Sequence, residues 1–434
     1  MSRTAILAAL LTATPLAAQV PTASAPLIAV QAGTLIDRPG KPPRRNATVL
    51  VRGGRIEAVQ DGFQAPEGAT VIDLRDRTVL PGLIDSHVHL SSDRAGNEGA
   101  LAEFTDSPQL AAYETLWNAR KTLEAGFTTV RNLGDAGGTL ALRDAIARGW
   151  AVGPRIMDAG RSISTTSGHM DGRLGLSDEI VEHFPAPENL CDGAEDCRKA
   201  VRRQIGRGAD VIKIATTGGV NSRIGAGLGQ QMFDDEAKAI VDTAHLYGKK
   251  VAVHAHGADG IAVALRAGAD SIEHGTLMND EDIRLFKQTG AYYVPTLSTV
   301  NGYLERIAKD PNAYSPEVRA KIDWRISITG KALEKAVPAG VKIAFGTDAG
   351  VSKHGRNADE FELMVKHGMT PAGAIQAATV NAADLLGLAK EIGTLEPGKA
   401  ADLIAVAGDP LGDVRVLKQV GFVMKGGAVV KDLR

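Results

Sequence analysis

Leu80-Pro-Gly-Leu-Ile-Asp-Ser-His-Val-His-Leu90 is the stretch from which the fold can be worked out. Its apolar run ends in His87 and His89, which are one residue apart. Residues i and i+2 of a β-strand point to the same face, so both side chains are expected to project together from the end of a buried strand. This geometry suits a metal ion, but a lone His-x-His pair also occurs as the polar end of a strand. Further ligands must therefore come from elsewhere in the chain.

The stretch begins a series of eight strand-then-helix units, which is typical of the α/β class. Eight such units predict a (β/α)₈ barrel over residues 81–391, with functional groups at the carboxyl ends of the strands. Within the series, residues Pro316 to Ala339 are predicted to form one helix. The predicted strands contain Leu83-Ile84, Thr128–Asn132, Arg155–Ala159, Val211–Ile214, Val251–His254, Ser271–His274, Tyr292–Thr296 and Val341–Asp348.

Short β-rich runs separated by turns occupy both ends of the chain. Residues 26–80 contain four of them, and Gly53-Gly54 between two runs is a hairpin signal. Residues 392–434 return to the same pattern, with predicted strands at 401–406, 414–417, 421–425 and 428–430. We expect the two ends to form one composite β-sandwich domain.

The first 25 residues are typical of a secretory signal peptide. One basic residue, Arg3, precedes a short apolar core and then small residues, and the core is too short to span a membrane. Cleavage is expected between Ala18 and Ala25, and the alternative is an apolar helix that the mature protein keeps. The protein is therefore expected to be exported, periplasmic or secreted, with no membrane attachment after cleavage. In such a compartment Cys191 and Cys197 are expected to form a disulfide.

Net charge limits the classes of partner. Lys and Arg number 49 against 51 Asp and Glu, a formal net charge of −2. This balance offers none of the basic field that nucleic-acid binding requires. A small-molecule substrate is the expected partner.

The other predicted strand ends supply the missing ligands. Lys213 lies on the fourth strand, His254 and His274 end the fifth and sixth, and Asp348 follows the eighth. Since the carboxyl ends of all barrel strands meet at one mouth, these side chains should converge on His87 and His89. Histidines with a carboxylate are suitable ligands for zinc or a similar first-row ion. His256 repeats the His-x-His spacing with His254, and spacing alone does not say which of the two binds metal.

These motifs, together with Phe345-Gly-Thr-Asp348 and Gly393-Thr-Leu-Glu-Pro-Gly-Lys-Ala-Ala-Asp-Leu403, resemble the metal-dependent amidohydrolase superfamily over nearly the whole mature chain. Within it, the chain resembles the branch of Xaa-Pro dipeptidases, carboxypeptidases of N-acyl amino acids and ochratoxin-type amidases. It implies two divalent ions, most simply zinc. The implied ligands are His87, His89, Lys213 and Asp348 for one ion, and His254 and His274 for the second, with a carbamylated Lys213 bridging both.

The resemblance also implies the chemistry. Two divalent ions would lower the pKa of a water molecule and polarise a carbonyl group, so hydrolysis of an amide C–N bond is expected. Lys213 and Asp348 are the predicted catalytic residues, with Asp348 as general base and then acid. The substrate is expected to be a peptide or N-acyl amino acid with a free carboxylate on the leaving side. The candidate substrate-binding residues are His169, Gly219, Val220, Arg223 and His256.

Two other functions are compatible with the same strand ends. One is a mononuclear deaminase or an imidazolonepropionase-like hydrolase of cyclic amides, which typically lacks the bridging lysine. The other is a binding protein that kept the barrel without catalysis. Homo-oligomers are common among relatives, but nothing in the sequence identifies an interface.

Overall fold

The computed structural model describes residues 25–94, 96–135, 137–183, 187–222 and 227–434. Apart from Ala25, the predicted leader lies outside these ranges, and so does the candidate residue Arg223.

Strands and helices alternate along the middle of the chain, with strands alone at both ends. The strands of the described residues are β1 (Leu27–Leu35), β2 (Arg44–Arg52), β3 (Arg55–Asp61), β4 (Thr70–Pro81), β5 (Leu83–Val88), β6 (Phe127–Asn132), β7 (Arg155–Asp158), β8 (Val211–Ala215), β9 (Lys250–Ala255), β10 (Ser271–His274), β11 (Tyr292–Val294), β12 (Lys342–Ile343), β13 (Leu403–Val406), β14 (Val420–Lys425) and β15 (Ala428–Asp432). The helices are α1 (Gly96–Thr105), α2 (Pro108–Glu124), α3 (Gly138–Ala147), α4 (Asp178–Val181), α5 (Ala194–Gly206), α6 (Asp234–Leu246), α7 (Ala258–Ala267), α8 (Asp280–Thr289), α9 (Thr299–Lys309), α10 (Pro316–Ser327), α11 (Lys331–Ala339), α12 (Asp359–Lys366), α13 (Pro371–Gln376) and α14 (Ala382–Leu385).

The eight parallel strands β5 to β12 form the barrel. Hydrogen bonds join them in two ladders, β5-β6-β7 and β8-β9-β10-β11-β12. Parallel bridges between Ile163 and Ile214 and between Val88 and Ala349 connect the ladders at both junctions, which closes the ring. All eight strands lie where the apolar runs predict them. The carboxyl ends of the strands therefore meet at one mouth, as the fold requires.

Strands from both chain ends form one seven-stranded sheet, in the order β15-β14-β13-β4-β1-β2-β3. The two ends meet where β13 pairs antiparallel with β4, placing Ile404 opposite Leu80. The predicted strand at 414–417 is wrong, because Val414–Lys418 is a 3₁₀-helix. Its two buried side chains, Val414 and Leu417, are three residues apart, which suits a helical turn, and the Asp413 side chain caps its start.

The prediction of one helix over residues 316–339 is also wrong. The chain forms two helices instead, and Gly330 between them has a left-handed backbone with φ 80°. A Cβ atom at this position would lie 2.1 Å from the ring of His367, so glycine is required for space as well as conformation. The break lets α10 run beside the barrel mouth independently of α11, which precedes β12.

A disulfide joins Cys191 and Cys197, whose side chains are both buried. It links the end of the long loop after β7 to the first turn of α5. The backbone N–H of Cys191 also donates to the carbonyl oxygen of Ser164, at the start of that loop. In the described part of the chain, no helix has the length and apolar character to cross a membrane.

Candidate metal centre

The predicted ligands converge at the barrel mouth, around a cavity of about 130 Å³. The cavity is lined by residues from six strand ends or the loops that follow them, and from α9 and α10. They are His87, His89, His169, Met170, Lys213, Val220, Asn221, His254, His256, His274, Thr299, Tyr303, Arg325, Asp348 and Val351.

His87, His89 and Asp348 form the first group that could hold an ion. The Nε2 atoms of the two histidines are 3.3 Å apart and lie 3.5 and 3.2 Å from Asp348 Oδ1. Each Nδ1 atom is engaged away from the cavity: that of His87 bonds Glu273 Oε2 at 2.9 Å, and that of His89 bonds the carbonyl oxygen of Gly134 at 2.8 Å. This arrangement fixes the ring nitrogen that faces the cavity, as in many metal sites.

His254, His256 and His274 form the second group, with ring nitrogens that lie within 4.8 Å of one another. His256 Nδ1 bonds Thr276 Oγ1 at 2.8 Å, and His274 Nδ1 bonds Thr296 Oγ1 at 2.7 Å. Both rings therefore present Nε2 to the group. The geometry makes His256, which the resemblance assigns to the substrate, a third candidate ligand beside His254 and His274.

Lys213 lies on β8 and lines the same cavity as the two groups. Its side chain is 1% exposed, and its Nζ atom has no hydrogen-bond partner among the described residues. Burial lowers the pKa of this amine to about 8. An unpartnered polar atom in the interior costs free energy unless a ligand or modification satisfies it, so Lys213 fits a site that holds another group.

The protonation of four of the five candidate histidine ligands favours metal binding. Burial lowers the pKa of the fifth, His89, but the hydrogen bond and charge of Asp348 outweigh it and raise this pKa above its ordinary value. Burial lowers the pKa of His87 to about 4 and lowers the pKa values of His254, His256 and His274 well below 6.5. Neutral imidazole is the form that binds a cation. The donor set and its protonation therefore fit divalent ions.

The backbone takes an unusual conformation at three of these strand ends. His274, Thr296 and Asp348 have φ values of 70°, 48° and 56°. Residues with a side chain rarely adopt this left-handed region, and such strain is concentrated at functional sites. The conformation turns His274 and Asp348 into the mouth and places Thr296 where its hydroxyl meets His274.

Three of the predicted substrate-binding residues, His169, Val220 and His256, line the cavity. His169 bonds Ser222 Oγ through Nδ1 at 2.5 Å, and its ring centre is 4.1 Å from that of His254. Gly219 lies directly against this ring, because a Cβ atom there would be 2.1 Å from His169 Cε1.

Four charged residues near the site were not predicted. Arg131 and Glu273 are buried on β6 and β10, where a charge inside an apolar strand was the available signal. Arg325 lines the cavity from α10, and nothing in its sequence surroundings distinguishes it from a surface arginine. Asp85, two residues before His87, was also missed. It accepts hydrogen bonds from the Thr347 hydroxyl at 2.6 Å and from Asn357 at 2.8 Å, which ties β5 to the segment that carries Asp348.

Comparison with known proteins agrees with this geometry. An ochratoxinase of Aspergillus niger is 34% identical over 421 residues, 93% of this chain and 86% of that protein. A solved Xaa-Pro dipeptidase with methionine in its active site has a TM-score of 0.88 and 41% identity, and the match covers 93% of this chain and 99% of that one. A solved prolidase in complex with N-methylphosphonate-L-proline has a TM-score of 0.85 and 32% identity, covering 94% and 100%. The sequence model of the amidohydrolase family matches residues 78–430. With its barrel and two ligand groups in place, the chain belongs to the amidohydrolase family.

Proposed function

We propose that this enzyme uses two divalent metal ions to hydrolyse the amide bond of a peptide or N-acyl amino acid whose leaving side carries a free carboxylate. The observation that carries the proposal is that two histidine groups and Lys213, whose Nζ atom is unpartnered, line the same cavity. One histidine group with a carboxylate would serve a single ion. The second group and the buried lysine that lines the same cavity support a binuclear site.

His87, His89 and Asp348 would hold one ion, and His254 and His274 the other, with His256 beside them. Carbamylation of Lys213, in which its neutral amine adds to CO₂ and releases a proton, would supply two further oxygen ligands. The buried amine with its lowered pKa supports this modification. Divalent ions bound there, most simply zinc, would lower the pKa of water and polarise the scissile carbonyl group.

Asp348 is the proposed proton carrier. It accepts a proton from the attacking water and passes it to the nitrogen of the leaving amine, so that water and amide become a carboxylic acid and an amine. Burial raises the pKa of Asp348, but the charges and hydrogen bonds of His87 and His89 outweigh it and hold this pKa at about 2. The carboxylate is therefore ionised at neutral pH, the form that a proton acceptor requires.

Relatives of this chain support the substrate class. The similar proteins include an ochratoxinase, a Xaa-Pro dipeptidase with bound methionine and a prolidase in complex with N-methylphosphonate-L-proline. Methionine and proline both carry a free carboxylate next to the amine nitrogen. The mononuclear alternative has less support, because Lys213 and the second histidine group would then have no role.

The test is a metal analysis followed by a substrate panel. Two equivalents of metal per chain are expected after purification in zinc, against one for the mononuclear alternative. N-acyl amino acids and Xaa-Pro dipeptides are then compared with cyclic amides at fixed zinc. Hydrolysis of cyclic amides alone would contradict the proposed substrate class. If the purified protein binds no metal in excess zinc, the proposed metal-dependent activity is contradicted.

Lys213→Ala gives a sharper prediction. Bound metal and amidase activity should fall together, activity by more than about 100-fold, because even residues that only support ligands cost 10- to 100-fold. Short carboxylic acids should restore part of both by occupying the place of the carbamate. Lys238→Ala is the matched control, since Lys238 is half exposed on α6 and pairs with Asp242. Full activity in Lys213→Ala would exclude the bridging role.

Export is proposed as well. The support is the apolar leader of the sequence and the disulfide between Cys191 and Cys197, since disulfides persist in oxidising compartments. Amino-terminal sequencing of the mature protein should find its first residue between Gln19 and Pro26, and retention of Met1 would contradict export through this leader.

A further inference from the structure

Arg325 is a buried cation at the wall of the metal cavity. It lies in the last turn of α10, only 3% of it is exposed, and it lines the same cavity as Asp348 and the two histidine groups. The single hydrogen bond that its guanidinium group makes among the described residues is a long one, from Nη1 to Thr329 Oγ1 at 3.4 Å. No carboxylate of the described chain forms an ion pair with it.

Neighbouring acids are already engaged by other groups. Glu360 and Asp348 are near enough to act on the charge of Arg325. However, Glu360 accepts the backbone N–H groups of Leu297 and Ser298 at 2.9 and 2.6 Å, and Asp348 faces the histidines. Burial lowers the pKa of Arg325 from its ordinary value, a sign that its charge is poorly solvated. Removing a charge from water without a partner is costly, so a ligand that supplies the opposite charge would be bound strongly.

Arg325 is held in a rigid wall, not on a mobile loop. One turn earlier on α10, Lys321 donates to the carbonyl oxygens of Gly219 and Ser222, at 3.1 Å for the first. Residues four apart lie on the same face of a helix, so Arg325 and Lys321 face the same loop after β8. Asn221 in this loop donates to Tyr303 Oη at 3.3 Å, which connects it to α9. The guanidinium group is therefore held beside the cavity, where very little of it is exposed to solvent.

We propose that Arg325 binds the free α-carboxylate on the leaving side of the substrate. This rests on the function proposed above and names the residue that selects the substrate class. The planar guanidinium group donates two parallel hydrogen bonds to a carboxylate, a geometry that an amide or ester does not match. The enzyme is thereby restricted to the last peptide bond of a chain or to N-acyl amino acids. Internal peptide bonds and carboxamides, which leave the buried cation unpaired, are rejected.

Binding of product-like probes tests this without turnover. Zinc-loaded enzyme is titrated with L-phenylalanine and L-proline, and with their carboxamides. In Arg325→Met the two acids should bind about 10- to 100-fold more weakly, as expected for a lost charged hydrogen-bond pair, while carboxamide binding stays the same. Arg325→Lys should lie between, because it keeps the charge but loses the paired donors. Arg319→Met is the matched control, on the same helix but paired with Asp323 and partly exposed.

Kinetics separate this inference from the proposed function. Wild-type enzyme should cleave N-acetyl-L-phenylalanine in strong preference to N-acetyl-L-phenylalaninamide, and Arg325→Met should lose the preference mainly through KM. An equal loss of acid and carboxamide binding, or no loss, would overturn the role of Arg325 while leaving amide hydrolysis intact. If no substrate is cleaved but acid binding still depends on Arg325, the proposed function fails and the carboxylate site stands. Should Arg325→Met not fold, Arg325→Lys gives the same comparison.

Discussion

His87 owes its orientation to a buried pair of opposite charges. Glu273 accepts a hydrogen bond from its Nδ1 through Oε2 and one from Arg131 Nη2 through Oε1, at 2.9 and 2.8 Å. None of the three side chains is more than 2% exposed. Burial raises the pKa of Glu273, but Arg131 and His87 outweigh it and hold the pKa at about 2, so the carboxylate keeps its charge. A histidine bonded in this way is a stronger and better aimed ligand.

Glu273→Gln should therefore weaken metal binding while leaving every ligand in place. We expect the affinity for zinc to fall about 10- to 100-fold, measured by competition with a chelator. The folded fraction should be checked by circular dichroism, because Arg131 loses its charge partner. Glu281→Gln is the control, since Glu281 is exposed at the start of α8 and pairs with Arg284. Unchanged zinc affinity in Glu273→Gln would show that the carboxylate has no part in aiming His87.

At the scale of elements, the loop after β8 depends on a glycine. Gly219 lies against the ring of His169, which comes from the loop after β7, and there is no space for a Cβ atom between them. The two loops therefore pack through the backbone of Gly219 and the imidazole ring of His169. His169 in turn lies against His254, so the packing reaches the metal site.

Gly219→Ala should displace His169 without removing any proposed ligand. We expect zinc content to stay near the wild-type level, because the ligands come from other strand ends, while KM for N-acyl amino acids rises about tenfold. Metal analysis and steady-state kinetics on one preparation measure both. Gly172→Ala is the matched control, because nothing lies within 4 Å of a Cβ at Gly172. A parallel loss of zinc in Gly219→Ala would mean that the loop supports the ligands directly.

For the whole molecule, a buried acid at the end of β7 makes stability depend on pH. Burial, followed by the nearby charge of Asp135, raises the pKa of Asp158 from 3.8 to about 7. Between pH 3.8 and about pH 7, the carboxyl group of Asp158 is therefore protonated in the folded state and ionised in the unfolded state. The contribution of Asp158 to the free energy of unfolding is therefore most favourable below pH 3.8 and becomes less favourable as the pH rises toward 7.

Asp158→Asn should remove this dependence. In denaturant titrations of metal-free protein, the free energy of unfolding of the variant relative to wild type should increase between pH 5 and pH 7. The increase should be on the order of 1.4 kcal/mol for each pH unit over which wild type holds the proton. A constant difference across this range would show that Asp158 is ionised in the folded state at pH 5.

The parts of the fold that could be predicted are those in which the pattern of apolar residues marks a strand. Apolar runs located all eight barrel strands, and barrel geometry brought together His87, Lys213, His274 and Asp348, although they are far apart in sequence. The prediction failed where a glycine conformation or a short helical turn decided the structure, at Gly330 and at Val414–Lys418.

The surroundings of the ligands were harder to predict. Glu273 and Arg131 lie on different strands, and their pairing depends on which neighbours face each other inside the barrel. Arg325 looks like any helix arginine until the break at Gly330 and the packing of α10 place it at the cavity. Contacts of this kind depend on tertiary geometry, which the local pattern of residues does not record.

The left-handed backbone of His274 and Asp348 places a limit on engineering. At such positions glycine relieves about 1 kcal/mol or more of strain, whereas the histidine and aspartate needed for metal binding impose it. A library of metal-free variants selected for heat resistance alone would accordingly favour glycine at these two positions and lose the enzyme. Selection for thermostability should therefore be carried out with zinc present and with activity as a second criterion, so that ligand binding offsets the strain.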